Sequence, residues 1–340
     1  MIMAPLSHAL KPRSEPIQPQ GETTGIGRAD IRVKGKTVSV PSAQIEGKVV
    51  TTSGRFLKIA SVRDEELVEG DTVEDPESFV SQLKANRLKV DLFTFAQRLP
   101  DTAPKHNYHI EWENAAALPI TTYSRWWKEC TEYSIRKGVN RAKKLGLLVK
   151  TVEFDDVLLE AIYRIYNETP VRQGKSFWHF GKDFELIRRA LATYLERSFF
   201  IGAYWQDELV GFMKVTSVNG TATITQILSA QKHFSKRPNN ALIAKAVEIC
   251  EFRHLSPLIY GSFVYYDPDS SLTEFKRRNG FQAIPLPRYY IPLTLKGKIA
   301  LRLRLQRGIA GNIPTPIFRE FLKIRKAWYA RRSKDVKETP

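Results

Sequence analysis

The sequence predicts an α+β protein built on a mixed sheet flanked by helices and preceded by a smaller α+β unit. Three observations carry that prediction. From residue 147 onward the apolar spacing switches between period two and period 3.6 in a definite order: strand, two helices, three antiparallel strands, helix, strand, short helix, strand. Residues 30–62 alternate in short runs broken at Lys-Gly-Lys and Ser-Gly-Arg, the pattern of antiparallel strands. The chain has 340 residues, 42% hydrophobic and 11% aromatic, enough for about two domains and a large core.

Each element follows from its own residues. Residues 1–29 carry Pro5, Pro12, Pro16 and Pro19 with little apolar periodicity and read as a disordered arm. The runs IRVKGKTVSV, GKVV and GRFLKIASV then read as strands. PESFVSQLKANR (76–87) is a helix with proline in its first turn. DLFTFAQRL (91–99) and YHIEW (108–112) are further strands, which makes 30–120 a small α+β unit. Ser124 is positioned to cap a helix through RWWKECTEYSIRKGVNRAKKLG that stops at Gly146, or two helices broken at Gly138. LLVKTVEF (147–154) is a strand, and Asp155 and Asp156 open the helix VLLEAIYRIYNET. The polar connection PVRQGKSFWHFG precedes a second helix, FELIRRALATYLERS. FFIGAYWQDELVGFMKVTSV is a hairpin turning at Gln206-Asp207-Glu208, and TATITQILSA (221–230) is the next strand. RYYIPLT (288–294) is the last strand of the 121–295 domain. Residues 296–340 form a basic tail with an amphipathic helix bearing Phe318, Phe321, Leu322 and Trp328.

The formal net charge is +17, which suits polyanionic partners: RNA, a phosphorylated cofactor or an anionic membrane surface. A solvated basic surface is the plainer explanation. The tail's basic face and aromatic stripe fit RNA, a membrane surface or packing on the body. Cys130 and Cys250 sit in apolar stretches, read as reduced thiols, and offer no metal spacing, so no metal is expected. The N-terminus lacks a signal-peptide run and no window approaches the eighteen apolar residues of a spanning helix, so a cytoplasmic location is expected. Oligomeric state is left open.

The stretch 221–281 is the most informative. A strand feeds a helix whose entry, QKHFSKRPNN, carries Lys236, Arg237, Asn239 and Asn240. Free N–H groups and the helix dipole there favour an anion, with two cations alongside. A phosphate-bearing donor is the implied ligand.

The element order resembles the GNAT acyltransferase fold. RKGVNRAKKLGLLV (136–149), RPNNALIAKAVE (237–248) and SLTEFKRRNGF (271–281) look like the Fem-type peptidyltransferases and related GNAT-like proteins, over about residues 136–295. Tandem GNAT-like units would match the Fem-type layout, with 30–120 a degenerate companion. The resemblance implies transfer of an acyl or aminoacyl group from acyl-CoA or aminoacyl-tRNA to an amine acceptor. The acetyl-CoA signature of GNAT enzymes, Gln/Arg-x-x-Gly-x-Gly/Ala, falls here on Lys236, Asn239 and Ala241. Its glycines are replaced and Pro238 removes a donor, which leans toward tRNA or another large phosphorylated donor.

The same resemblance implies roles for single residues. Lys276, in a Phe-Lys pair, would steady the donor or the developing oxyanion. Tyr265, or Tyr266, would protonate the leaving group. The connection 167–183 lies beside the acceptor site of the fold. It supplies Glu168 or His179 as base and Arg172, Gln173 and Trp178 as pocket residues, and its length suits a functional loop. The strand 221–230 holds no carboxylate; Gln226 is its only large polar residue. That absence keeps a second reading open, a non-catalytic RNA-binding or scaffold protein retaining the fold.

Overall fold

The computed structural model describes residues 26–33, 36–63, 65, 73–172, 175–265 and 267–307. The arm up to residue 25, Gln173, Tyr266 and the tail helix beyond 307 lie outside the described residues. The first half supplies β1 (Gly27–Val33), β2 (Lys36–Ile45), β3 (Lys48–Ser53), β4 (Ile59–Val62), α1 (Pro76–Ala85), β5 (Leu92–Ala96) and β6 (His109–Leu118). A short α2 (Tyr123–Arg125) runs into a π-helical turn (Trp126–Cys130) and then α3 (Tyr133–Lys144). There follow β7 (Leu148–Val152), α4 (Asp156–Tyr166), the small hairpin β8 (Val171–Arg172) and β9 (Lys175–Ser176), α5 (Phe184–Leu191), β10 (Ser198–Trp205), β11 (Glu208–Val218) and β12 (Thr221–Ser229). The last elements are α6 (Pro238–Phe252), β13 (Leu258–Ser262), α7 (Ser271–Arg278), β14 (Gln282–Pro292) and α8 (Leu295–Arg302).

Twelve strands form one sheet in the order β1-β2-β3-β4-β5-β14-β6-β13-β12-β11-β10-β7. The last strand, β14, inserts between β5 and β6, pairing Tyr289 with Phe95 and Ile110. The sheet therefore runs through both halves of the chain without a break. Only β4/β5 and β12/β13 are parallel neighbours.

Helices cover both faces of the β7–β13 half. On β10, Phe199, Ile201 and Ala203 face α3 and α6, while Phe200 faces α4 and α5, as period-two geometry requires. Sandwiched strands read as continuous apolar runs, and β11 is buried over eight consecutive residues. A separate core beneath α1 packs Phe79 on Phe93 and Phe95 on Tyr289.

Several boundaries differ from the sequence expectation, each for a local reason. The helix at 123–144 breaks at Thr131 and Glu132, not at Gly138, and its first cap is Thr122, whose Oγ1 accepts from the Arg125 N–H at 3.1 Å, not Ser124. Gly138 stays helical because α3 crosses α6 there: a Cβ at Gly138 would lie 3.0 Å from Asn240 Nδ2. The second helix of the 147–198 segment ends at Leu191, since Tyr194 turns left-handed (φ 55°). Gln206 and Asp207 both have positive φ, the two-residue turn that suits a twisted hairpin.

Candidate active site

The β12–α6–β13 unit builds the site. The two parallel strands pair at only two positions, Ala222 with Leu258 and Thr223 with Ile259. The cause lies one residue further on. Against β11, Ile224 pairs with Val215 and Gln226 with Lys214, leaving Thr225 as an extra, bulged residue. A bulge bends its strand and deepens the twist. Beyond it β12 leaves β13, and the two strands splay toward their C-terminal ends.

At the top of the splay, α6 begins with Pro238 at its first turn and Arg237 left-handed (φ 61°) before it. No side chain caps this end, so the first-turn N–H groups have no intrahelical or capping partner. The structure divides the four polar residues expected to hold phosphate. Lys236 turns away, its Nζ 3.9 Å from the Trp205 ring centre and 3.1 Å from His233 Nδ1. Asn240 packs against Gly138. Asn239 keeps a buried Oδ1 with no hydrogen-bond partner, and Ala241 is buried. The anion-ready mouth is thus made of backbone amides and the exposed Arg237, with Lys236 withdrawn from it.

At the open end of β13 sits Lys276, 0% exposed. Its Nζ donates to the Ser262 carbonyl at 2.6 Å and lies 4.7 Å from the ring centres of both Tyr260 and Tyr265. Among the described residues it forms no ion pair, and burial pushes its pKa down to about 8. Burial likewise pushes the Tyr260 phenol up, so Tyr260 stays neutral. The helix that carries Lys276 is pinned at both ends. Ser270 Oγ accepts from the Thr273 N–H at 3.1 Å, and the Trp126 indole N–H donates to the Asn279 carbonyl at 2.9 Å. Glu132 ties Arg277 at 2.5 Å to the segment before α3. Tyr265 is 55% exposed beside Gly261. A cavity of about 160 Å³ opens next to this pair, walled by Ser262, Tyr265, Asn114 and Arg288. Arg288 is held by Glu65 and Glu113, each at 2.5 Å.

The 167–183 connection is tied to β12, but its polar residues divide. Glu168 is no free base. Its carboxylate accepts from the N–H groups of Gln231 (2.6 Å) and Lys232 (2.9 Å) and pairs with Arg172 at 3.1 Å, which caps the turn before α6. Arg172 is no pocket residue either: it is buried, donates to the carbonyls of Ser229 and Ile165, and stacks on Phe177. Burial lowers its pKa while Glu168 opposes that shift. Both expectations fail because a buried guanidinium needs its carboxylate. His179 is buried, its ring tilted against those of Trp178 and Tyr166 at centroid distances of 3.6 and 4.2 Å, with Nε2 3.4 Å from Gln226 Nε2. His179 and Gln226 line a second cavity, whereas Trp178 is half exposed. Sequence reasoning overlooked Lys214, buried on β11; a lysine inside the run GFMKV of a strand covered on both faces was the signal available. Among the described residues no three His, Cys, Asp or Glu side chains gather as a metal site.

No family model matches the chain, and no curated protein matches it. Among solved structures it is similar to L-PGS from Bacillus licheniformis, with 15% identity, 78% of this chain and 88% of that chain covered, and a TM-score of 0.52. Less similar are the C-terminal domain of a putative lysylphosphatidylglycerol synthetase from Agrobacterium fabrum (15% identity, 77% and 87% covered, TM-score 0.49) and FemX (12%, 82% and 90%, TM-score 0.48). What the chain shares with L-PGS is the fold, a mixed sheet flanked by helices.

Proposed function

We propose that the protein is an N-acyltransferase, moving an acyl or aminoacyl group from a phosphorylated carrier, acyl-CoA or aminoacyl-tRNA, to an amine. The observation that carries this reading is Lys276: a buried ammonium without a counter-charge among the described residues, held on a pinned helix at the open end of two splayed parallel strands. A buried cation next to a cleft suits charge that develops during a reaction better than it suits stability. We assign the transfer to the 121–295 unit, with the 30–120 unit walling the cleft through Glu65 and Glu113.

In this reading the first-turn amides of α6 and Arg237 hold the carrier's phosphate. Beyond Thr223 the β12 edge has no β13 partner, so its N–H groups can receive the reacting carbonyl oxygen. The amine nitrogen attacks that carbonyl carbon, and the Lys276 ammonium stabilises the oxyanion that forms. Collapse breaks the bond to the carrier's sulfur or oxygen, with Tyr265 as proton donor to the leaving atom. The amine's proton leaves through water or through His179 and Gln226, since β12 carries no carboxylate and Arg288 holds Glu65 and Glu113.

Labelled acyl-CoAs and aminoacyl-tRNAs, incubated with a panel of amines, test the proposal. Transfer from either carrier, abolished in Lys276→Met, is the expected result. The donors separate by salt: many phosphate contacts give a steep loss of affinity, as for tRNA, and CoA's few give a shallow one. Arg237→Glu weakens both. RNA binding without transfer from any carrier would replace this reading by the non-catalytic one.

A further inference from the structure

The second cavity shares no lining residue with the one beside Lys276 and has a charge pattern of its own. It holds about 100 Å³ between α5 and the β11–β12 surface. Lys214 and Lys182 line it together with the hydroxyl residues Thr193, Thr216 and Thr225 and the amide of Gln226; among the described residues no aspartate or glutamate does. Lys214 is 3% exposed. Its Nζ donates to the Leu191 carbonyl at 2.8 Å, to the Thr193 carbonyl and, more weakly, to Thr193 Oγ1 at 3.3 Å. Every one of those acceptors is neutral. The carboxylate whose field reaches Lys214, Glu196, is itself turned to solvent and paired with Arg197 at 3.4 Å. Burial accordingly pushes the Lys214 ammonium down to about 8 and Glu196 opposes that shift only in part, so at neutral pH it is charged with neutral groups as its direct partners.

The geometry points to this cavity as a binding site for a small carboxylate. A buried cation with neutral partners costs free energy that one negative charge beside it offsets. The Thr193 and Thr225 hydroxyls donate to the Ala190 and Lys214 carbonyls and Thr216 pairs with Ser198, so a carboxylate would take its bonds from the Lys214 ammonium, in exchange for the long 3.3 Å contact to Thr193 Oγ1, and from the Gln226 amide. The volume admits a head group smaller than benzene, which a cavity of roughly 150 Å³ accepts. One buried ammonium matches a monoanion better than a dianion. The ligand is either a free small acid or the acid end of a larger molecule entering past Lys182. This inference does not rest on the transferase reading.

Calorimetric titration of the whole protein at neutral pH, with ionic strength held constant by chloride, tests it. The probes are sodium acetate, its neutral isostere acetamide, inorganic phosphate and N-acetylglycine. Acetate is expected to bind saturably with Kd of about 1–10 mM, as befits so small a ligand, and acetamide not at all. N-acetylglycine binding more tightly than acetate marks the acid end of a larger molecule; the reverse marks a free acid. Lys214→Met should weaken acetate by about 10-fold or more. If that variant does not fold, Lys182→Gln and Gln226→Leu, at the wall of the cavity, are expected to weaken it about 3-fold each. Acetamide binding as well as acetate, phosphate displacing acetate as the preferred anion, or acetate affinity unchanged in these variants overturns the assignment.

Discussion

Lys276→Met separates a lysine kept for chemistry from one kept for the fold. The lysine pKa falls from 10.5 to about 8, which at about 1.4 kcal/mol per unit makes its charged burial cost about 3 kcal/mol at neutral pH. Methionine removes that cost while keeping the stem's volume. Against this gain stand the lost hydrogen bond to the Ser262 carbonyl, about 1–3 kcal/mol, and two contacts with tyrosine faces, about 1 kcal/mol each. The terms nearly cancel, and stability is expected to change by less than about 2 kcal/mol. Transfer is another matter: losing a charged donor aimed at an oxyanion lowers kcat by about 10²–10³. Urea unfolding and single-turnover transfer are measured on the same preparation. Turnover within about 3-fold of the unaltered protein refutes the role given to Lys276. So does a loss of more than about 4 kcal/mol in stability, which marks a structural staple.

Four further outcomes are expected. Lys214 and Lys276 both release their protons near pH 8 in the folded chain against 10.5 unfolded, so the unfolded state binds more protons between these values. Stability therefore rises from about pH 8 to 10, by at most about 3 kcal/mol per lysine, until Tyr260, with its raised pKa, opposes it; urea midpoints across this range, flattened in the two Lys→Met variants, check the sign. Transfer that needs the Lys276 ammonium falls over the same range, with an apparent pKa near 8 in the rate profile instead of a lysine's usual 10.5. Glu168→Gln breaks a buried ion pair and the cap on Gln231 and Lys232, so it costs about 2–4 kcal/mol in thermal or urea unfolding. Unchanged stability with abolished transfer would restore Glu168 as the base. Gly280→Ala places a Cβ 2.8 Å from that of Cys130 at φ 86°, which costs about 2–3 kcal/mol and shifts the end of α7, so melting temperature and transfer fall together.

What the sequence determined by itself was the order and kind of elements from β7 to β14, the small β8–β9 hairpin excepted, because period-two and period-3.6 apolar spacing is a local property. The Gln206-Asp207 turn, proline at the start of α6 and the Phe275-Lys276 pair were equally legible, since each acts within a few residues. Tertiary structure alone decided which polar groups remain available. Lys236 and Glu168 looked like site residues in sequence. In the fold, Trp205 lies 31 positions before Lys236, and Gln231 lies 63 after Glu168. Likewise the Thr225 bulge that opens the splay, and the burial that leaves Lys214 and Lys276 without counter-charges, depend on strands and helices far apart in the chain. Spacing reveals which face a residue occupies; desolvation and pairing depend on what the rest of the chain places against that face.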